Sequence, residues 1–176
     1  MAPSHRGRST SVARRPDPAP TLPIDPDSVP REPGPGPLHV RPSAIAAVAV
    51  GGLLGAPLRY GLTLAFPISA GQFPWTTFAI NVAGALLLGL LLEALTRLGE
   101  DAGWRRRVRL GVGTGVLGSF TTYSALAVDT DLLLHDHHMW SAVLYAVVSV
   151  VVGLVATTVG IALGAQVRAR RPEGIR

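Results

Sequence analysis

Charged side chains are almost absent from four long windows of this 176-residue chain. Leu110–Val128 and Met139–Val167 contain none, and Ser43–Phe66 and Trp75–Thr96 contain one each. A membrane-spanning helix requires about 20 largely apolar residues. These windows are apolar nearly all round, whereas the helices of soluble proteins carry an apolar stripe on one side only. The sequence therefore predicts an all-α membrane protein with four transmembrane helices joined by short loops.

The rest of the chain divides around this membrane domain. The domain is predicted over residues 43–167, with helices near 43–66, 75–96, 110–128 and 139–167. Residues 1–42 are rich in proline and arginine and contain too few large apolar residues for a core, so a disordered tail is expected there. Residues 168–176 form a short basic tail. The chain contains no cysteine, nucleotide-binding loop or catalytic constellation, which argues against disulfides, thiolate metal sites and an enzyme.

Arginines flank the predicted helices unevenly. All sixteen basic residues are arginine. Five of them lie between positions 97 and 109 and others lie in both tails, whereas the segments 67–74 and 129–138 contain none. Because positively charged loops stay on the cytoplasmic side, both termini are predicted to be cytoplasmic in a multi-pass protein of the cell membrane. Because this topology explains the arginines, nucleic-acid binding is not needed to account for them.

A few polar side chains interrupt the apolar windows. Asn81 lies near the start of the second window, and a buried amide has four hydrogen-bonding positions to satisfy. Arg59 in the first window favours a snorkelling or helix-pairing role over ligand binding. Tyr145 and Ser149 lie one turn apart in the fourth window. Amides, hydroxyls and aromatic edges suit a small anion, and the lack of an acid deep in the spans argues against a proton-coupled pump.

The third window contains the least regular helical sequence, "GVLGSFTTYS", at residues 115–124. Gly118 lowers helical preference, and the nearby hydroxyl side chains compete for backbone hydrogen bonds. If the helix unwinds there, carbonyl oxygens become available at membrane depth, where they must be buried in protein or satisfied by an ion. Unwound carbonyls in transporters coordinate cations. We therefore expect a helix broken at its centre and a hard cation bound at the break.

Three segments, "GGLLGAPLRY", "TTFAINVAGALLLG" and "GVGTGVLGSFTTYSAL", resemble the signature segments of the CrcB/Fluc family of fluoride channels. They occur in the family's order and cover essentially the whole chain after Ser43. The resemblance implies an antiparallel dimer of four-helix subunits with two pores that pass fluoride passively out of the cytoplasm. It also implies a structural sodium ion at the dimer centre, held by backbone carbonyls that correspond here to Gly118 and Thr121.

The resemblance also implies roles for individual side chains. The family's pore asparagine corresponds to Asn81, its helix-one arginine to Arg59, and its polar track to Ser124, Tyr145 and Ser149. The sequence departs from the family after the Thr-Thr pair. Two phenylalanines whose ring edges face the fluoride path are replaced by Tyr123 and Leu126, and the threonine between them by Ala125. Tyrosine keeps a positive ring edge, but leucine offers none.

The arginine bias and the missing aromatic residue together predict a heterodimer. A chain with such a one-sided arginine distribution should insert in one orientation only, whereas an antiparallel dimer needs both. The partner would be an inverted homologue that supplies the intact aromatic pair. Two alternatives remain: a non-conducting partner or scaffold subunit, and a small multidrug exporter. The exporter is disfavoured because such proteins need an acid near the middle of helix one.

Overall fold

The computed structural model describes residues 41–167, and these residues form helices without a strand. Helix α1 is Pro42–Ala65, α2 is Trp75–Arg97, and α5 is Met139–Gly164. Each of these three is long and apolar enough to cross a membrane. The prediction of an all-helical membrane protein is therefore confirmed. The two predicted tails, 1–42 and 168–176, lie outside the described residues except for positions 41 and 42.

The predicted third span corresponds to two shorter helices. Helix α3 covers residues 103–120 and consists of an α-helical start, Gly103–Val108, a π-helical segment, Arg109–Leu117, and a last α-helical turn, Gly118–Phe120. Helix α4 is Tyr123–His135. The predicted range 110–128 thus covers the second part of α3 and only the first part of α4. A single membrane helix broken at its centre, and hence a fourth span, stays a prediction.

Prolines set the boundary between α1 and α2. Pro42 occupies the first turn of α1, where its missing N–H removes no helical bond. The helix ends at Ala65, ahead of Pro67, because a proline disfavours helical backbone in the residue before it. The Thr76 hydroxyl donates to the Phe66 carbonyl at 2.6 Å. This bond ties the end of α1 to the start of α2.

Glycines bring the helices together in two pairs. Helix α1 packs along α3, and α2 packs along α5. At the first contact, a Cβ on Gly51 would lie 2.8 Å from the Gly115 Cα. At the second, a Cβ on Gly164 would lie 2.7 Å from the Leu90 carbonyl oxygen. Small residues at such crossings allow membrane helices to approach closely.

The most enclosed core lies between α4 and α5. Leu133, Ala142 and Tyr145 are buried there and are packed against Phe73, Phe78 and Leu126. Most large apolar side chains elsewhere are exposed, and Leu53 on α1 retains 74% of its accessible surface. A soluble protein rarely exposes contiguous apolar surface on this scale. The exposed faces are those expected of helices in contact with lipid or with other membrane helices.

Candidate functional site

Two residues with extended backbone separate α3 from α4. The backbone angles are φ −77° and ψ 158° at Thr121 and φ −150° and ψ 121° at Thr122. The Thr122 hydroxyl accepts a hydrogen bond from the Ala125 N–H at 3.0 Å, which makes Thr122 the N-cap of α4. Threonine is a good N-cap because its side chain replaces a missing helical acceptor. The competing hydroxyls seen in the sequence therefore act at this point.

Asn81 of α2 holds the extended segment in place. Its side-chain nitrogen donates to the Thr122 carbonyl at 2.9 Å, and its side-chain oxygen accepts from the Thr122 N–H at 2.8 Å. One amide side chain thus satisfies both backbone groups of a residue outside any helix. Such groups must find partners within the protein when no water is available. The sequence predicted Asn81 as a pathway residue that needs partners, and the structure identifies Thr122 as its partner.

The same hydrogen bonds alter the surroundings of two carbonyl groups. In a continuous α-helix, the Thr122 N–H would donate to the Gly118 carbonyl, and the Ala125 N–H would donate to the Thr121 carbonyl. Here the first N–H donates to the Asn81 side chain and the second to the Thr122 hydroxyl. The carbonyls of Gly118 and Thr121 therefore lose their helical donors. They are the two carbonyls that the family resemblance assigns to sodium.

Arg59 of α1 contacts the last turn of α3. Its Nε donates to the Ser119 carbonyl at 3.2 Å, and the side chain is half-buried. The Ser119 hydroxyl is directed back into its own helix, 2.6 Å from the Gly115 carbonyl oxygen. A cation near the C-terminal end of a helix is favoured by the helix dipole. The helix-pairing interpretation of Arg59 agrees with this contact.

A groove of about 390 Å³ lies beside the extended segment, between α2, α4 and α5. Sequence-predicted site residues are concentrated in its lining: Asn81, Thr121, Tyr123, Leu126 and Ser149. Gly84 also lines the groove. The position requires glycine because a Cβ there would collide with the Thr121 methyl group. Tyr123 is 82% exposed, at the outer edge, whereas Leu126 packs inward against the buried core.

Ser149 is the unusual member of this lining. It is buried, and among the residues that the structure describes its hydroxyl has no hydrogen-bond partner. Buried polar atoms are normally paired, and an unpaired hydroxyl is unfavourable. The hydroxyl is therefore available to a ligand in the groove. This is the property expected of a residue that lines an ion path.

Tyr145 lies one turn before Ser149 but outside the groove. Its side chain is fully buried, its hydroxyl donates to Asp129 Oδ2 at 3.2 Å, and its ring meets the Phe73 ring edge-on at 5.2 Å. Asp129 is a residue that the sequence did not identify, because it follows the predicted third span and reads as part of a charged loop. The structure places it in α4. The sequence did contain one signal, because Asp129 follows closely after the hydroxyl residues of positions 121–124.

Two other predicted residues lie apart from the groove lining. The Ser124 hydroxyl is exposed and lies 3.1 Å from the Thr122 hydroxyl, so it belongs to the N-cap region of α4. Gly118 is exposed on the last turn of α3. The structure thus brings together one set of predicted residues around the groove. Ser124, Tyr145, Gly118 and Arg59 lie outside the groove lining.

Known proteins similar to this chain are ion channels. A family model described as CrcB-like protein, Camphor Resistance (CrcB), matches residues 46–161. The fluoride-specific ion channel FluC 2 of Leifsonia xyli subsp. xyli is 48% identical over 135 residues, which cover 77% of this chain and 92% of that protein. FluC 1 of Cutibacterium acnes is 43% identical over 126 residues, which cover 71% of this chain and 87% of that protein.

A third relative matches at a similar level of identity. The fluoride-specific ion channel FluC of Thermus thermophilus is 42% identical over 118 residues, which cover 66% of this chain and 91% of that protein. The matched residues include the extended segment, Asn81 and the whole groove. The resemblance predicted from the three sequence segments is thereby confirmed, and the chain belongs to the CrcB/FluC family of fluoride channels.

Proposed function

We propose that this chain is a subunit of a fluoride-selective channel that allows passive fluoride efflux from the cytoplasm, with the groove beside Asn81 as part of the anion path. The observation that carries this proposal is the buried, unpaired Ser149 hydroxyl in a groove whose described lining contains no acid. The Asn81 nitrogen has two N–H groups and donates one of them to Thr122, so the other is available to an anion. Family membership confirms that the chain is not an enzyme.

The ion path follows the polar atoms on α5. In selective channels, polar groups of the protein replace the hydration shell of the ion. Hydroxyl and amide N–H groups would do this for fluoride here. Ser149 and Tyr145 lie one turn apart on α5, and the Tyr145 hydroxyl donates to Asp129. Tyr123 and Leu126 occupy the groove where the family has two phenylalanines. Tyr123 supplies an aromatic edge, and Leu126 supplies an apolar wall only.

Replacing Ser149 with alanine is expected to reduce the fluoride efflux rate about tenfold, because an anion in the groove loses one hydrogen bond of about 1.4 kcal/mol. The melting temperature should stay the same or rise, because the hydroxyl has no protein partner to lose. Efflux from proteoliposomes that contain the chain together with its inverted homologue, and thermal unfolding in detergent, measure the two effects. Thr158→Val is the matched control, since that hydroxyl is exposed and bonds only to the Leu154 carbonyl of its own helix.

A structural sodium ion at the dimer centre fits the extended segment. Carbonyl oxygens are ligands suited to hard cations. The Gly118 and Thr121 carbonyls have lost their helical donors to side chains, so both oxygens can accept a cation. Two subunits would contribute four such oxygens. A bound ion there would join the two subunits and neutralise carbonyl dipoles that the helices leave unpaired.

Exchange of sodium for choline at constant ionic strength is expected to lower the melting temperature by several degrees, because a ligand bound only to the folded dimer stabilises it. The shift should follow a saturable dependence on sodium concentration. Thermal unfolding of the purified dimer of this chain with its inverted homologue measures this without any transport assay. Equal melting temperatures in sodium and choline would contradict the sodium site.

The partner subunit is an inverted homologue in an antiparallel dimer. The arginine bias supports this, because both termini of this chain should remain in the cytoplasm. Leu126 in place of an aromatic ring also supports a partner that supplies the intact pair. Co-expression of two differently tagged copies tests the point: they should not co-purify from cell membranes, whereas each should co-purify with the homologue. Homodimers of mixed orientation would overturn the heterodimer.

A non-conducting partner or scaffold subunit is the second candidate function. The observation that favours it is the absence of a second aromatic residue at position 126. In that case the partner's pore conducts and this chain only completes the dimer. Ser149→Ala would then leave efflux from the heterodimer unchanged, which separates this candidate from the first.

A further inference from the structure

The groove beside the extended segment continues along α5 beyond Ser149. Ser149, Gly153 and Thr157 all line it, and they are four residues apart in the sequence. Residues four apart lie on one face of a helix, each about 6 Å further along its axis. The α5 wall of the groove therefore presents a hydroxyl, then a position without a side chain, and then a second hydroxyl.

Gly153 is not required for packing among the residues that the structure describes. A Cβ at that position would meet nothing within 4 Å. Further along α5, a Cβ on Gly160 would lie 2.9 Å from the Leu90 nitrogen of α2, so that glycine is required where the two helices cross. Glycine is less favourable than alanine inside a helix. No helix contact offsets this at position 153, and the effect of the glycine there is to leave the groove open.

The α2 wall of the groove also contains small residues near this level. A Cβ on Gly89 would lie 2.5 Å from the Thr157 carbonyl oxygen, and the contact at Leu90 comes later on both helices. The two helices therefore run in the same direction. One turn before the Thr157 contact, Ala85 lies near the level of Gly153, and both residues line the groove. The space between the two hydroxyls thus passes two of the smallest side chains in the lining.

Thr157 offers the second hydroxyl on this wall. In the structure it donates to the Gly153 carbonyl at 3.0 Å. The same carbonyl is the helical acceptor for the Thr157 N–H, so it keeps a donor when the hydroxyl turns away. Hydrogen bonds to an ionised partner are stronger than those between neutral groups. The hydroxyl can therefore turn from the carbonyl to an anion in the groove without leaving a backbone group unpaired.

We propose that Gly153 keeps the fluoride path open between Ser149 and Thr157, and that the Thr157 hydroxyl is the next anion ligand along it. This rests on the proposed function, because it extends the path that begins in the groove. Ser149 supports the extension, since its hydroxyl is buried, lines the groove and has no partner among the described residues. The side chain at position 153 sets the width of the path, because a large apolar side chain there would narrow it and exclude water.

Labelling of an introduced thiol tests whether position 153 faces water. The chain contains no cysteine, so Gly153→Cys supplies its single thiol. Thiols react as thiolates, which need water, so a small water-soluble methanethiosulfonate should label this variant in membranes that contain the pair with the inverted homologue. Gly52→Cys is the matched control and should stay unlabelled, because its Cβ position is also open but lies near the middle of α1, outside the groove lining. The mass of the intact chain measures both.

Fluoride efflux from the same pair measures the effect of side-chain size. Gly153→Leu is expected to reduce the efflux rate at least about tenfold, because leucine forms an apolar constriction. Gly153→Ala adds one methyl group and should retain most of the rate, and Gly52→Leu should retain the parent rate. Each variant should co-purify with the homologue and keep its melting temperature, since each replaces a helical glycine whose Cβ position is open.

Thr157→Val removes the second hydroxyl and keeps the shape of the side chain. Efflux should fall about fivefold, because the anion loses a hydrogen bond that is stronger than the bond to the carbonyl. Thr158→Val is the control, since that hydroxyl is exposed and does not line the groove. An efflux rate equal to that of the parent would overturn the role of Thr157 as an anion ligand.

The remaining outcomes separate the role of Gly153 from the channel itself. An unlabelled Gly153→Cys, or full efflux from Gly153→Leu where Asn81→Leu blocks efflux, would overturn that role and leave the channel intact. Loss of co-purification in Gly153→Leu would assign the position to the contact between subunits and would also overturn it. Absence of fluoride release from the parent pair would contradict the proposed function, and the extended path with it.

Discussion

Replacing Asn81 with leucine is expected to reduce fluoride efflux at least about 100-fold. Leucine matches asparagine in size and branching but leaves the Thr122 N–H and carbonyl without their partner. Each backbone group left without a partner destabilises the extended conformation by about 1–3 kcal/mol, so two destabilise it by about 2–6 kcal/mol. A cost of about 2.8 kcal/mol lowers the population of that conformation, and with it the efflux rate, 100-fold. The variant also removes the amide N–H available to an anion. Efflux from proteoliposomes that contain the variant together with the inverted homologue, and the melting temperature, should both fall.

Thr158→Val serves as the control for this variant as well. It removes one polar group from a membrane helix without touching the extended segment, because its hydroxyl bonds only within α5. Efflux and stability close to those of the parent chain are expected. Full efflux from a correctly folded Asn81→Leu variant would show that neither the backbone pairing nor the amide matters to the path.

Gly51→Ala is expected to destabilise the protein strongly, whereas Gly52→Ala should not. A Cβ on Gly51 would collide with the Gly111 carbonyl oxygen and lie 2.8 Å from the Val116 nitrogen, and both are backbone atoms of α3. Backbone cannot move aside as a flexible side chain can, so α1 and α3 must separate. Overpacking of this kind typically costs about 1–3 kcal/mol and occasionally more. Tryptophan fluorescence during thermal unfolding measures the loss.

The comparison with Gly52 isolates packing from helix propensity. Both substitutions replace glycine with alanine in adjacent positions of α1, and a Cβ on Gly52 would meet nothing within 4 Å. Alanine favours a helix over glycine by about 1 kcal/mol, so Gly52→Ala should hold or raise the melting temperature. Equal melting temperatures for the two variants would refute the close contact between α1 and α3.

Local features of the sequence predict much of this fold. The three long helices follow from uninterrupted apolar composition, and small residues mark their contacts. Thr121 and Thr122 could be recognised as helix-weakening residues because their hydroxyls compete with the backbone nearby. Asn81 could be recognised because an amide is unfavourable in lipid without partners. These inferences need only the residue and its immediate neighbours.

Other features depend on contacts between distant residues. The pairing of Asn81 with Thr122 joins positions 41 residues apart, so composition cannot show which groups meet. From the sequence, Asp129 is interpreted as an acid in a loop, and only the structure shows that it accepts a hydrogen bond from the Tyr145 hydroxyl. The continuation of α4 to His135 was also missed, because charged residues after Val128 indicate the end of an apolar window without indicating the end of a helix. Tertiary packing decides each of these.

Fluoride efflux from liposomes is the most direct test of the proposed function. The purified chain is reconstituted alone and together with its inverted homologue, and fluoride and chloride release are recorded. We predict rapid fluoride release without chloride release from the mixed vesicles, and little release from the chain alone. Efflux from the chain alone would contradict the heterodimer but retain the channel. No fluoride release from vesicles that contain the intact pair would contradict the proposed function itself.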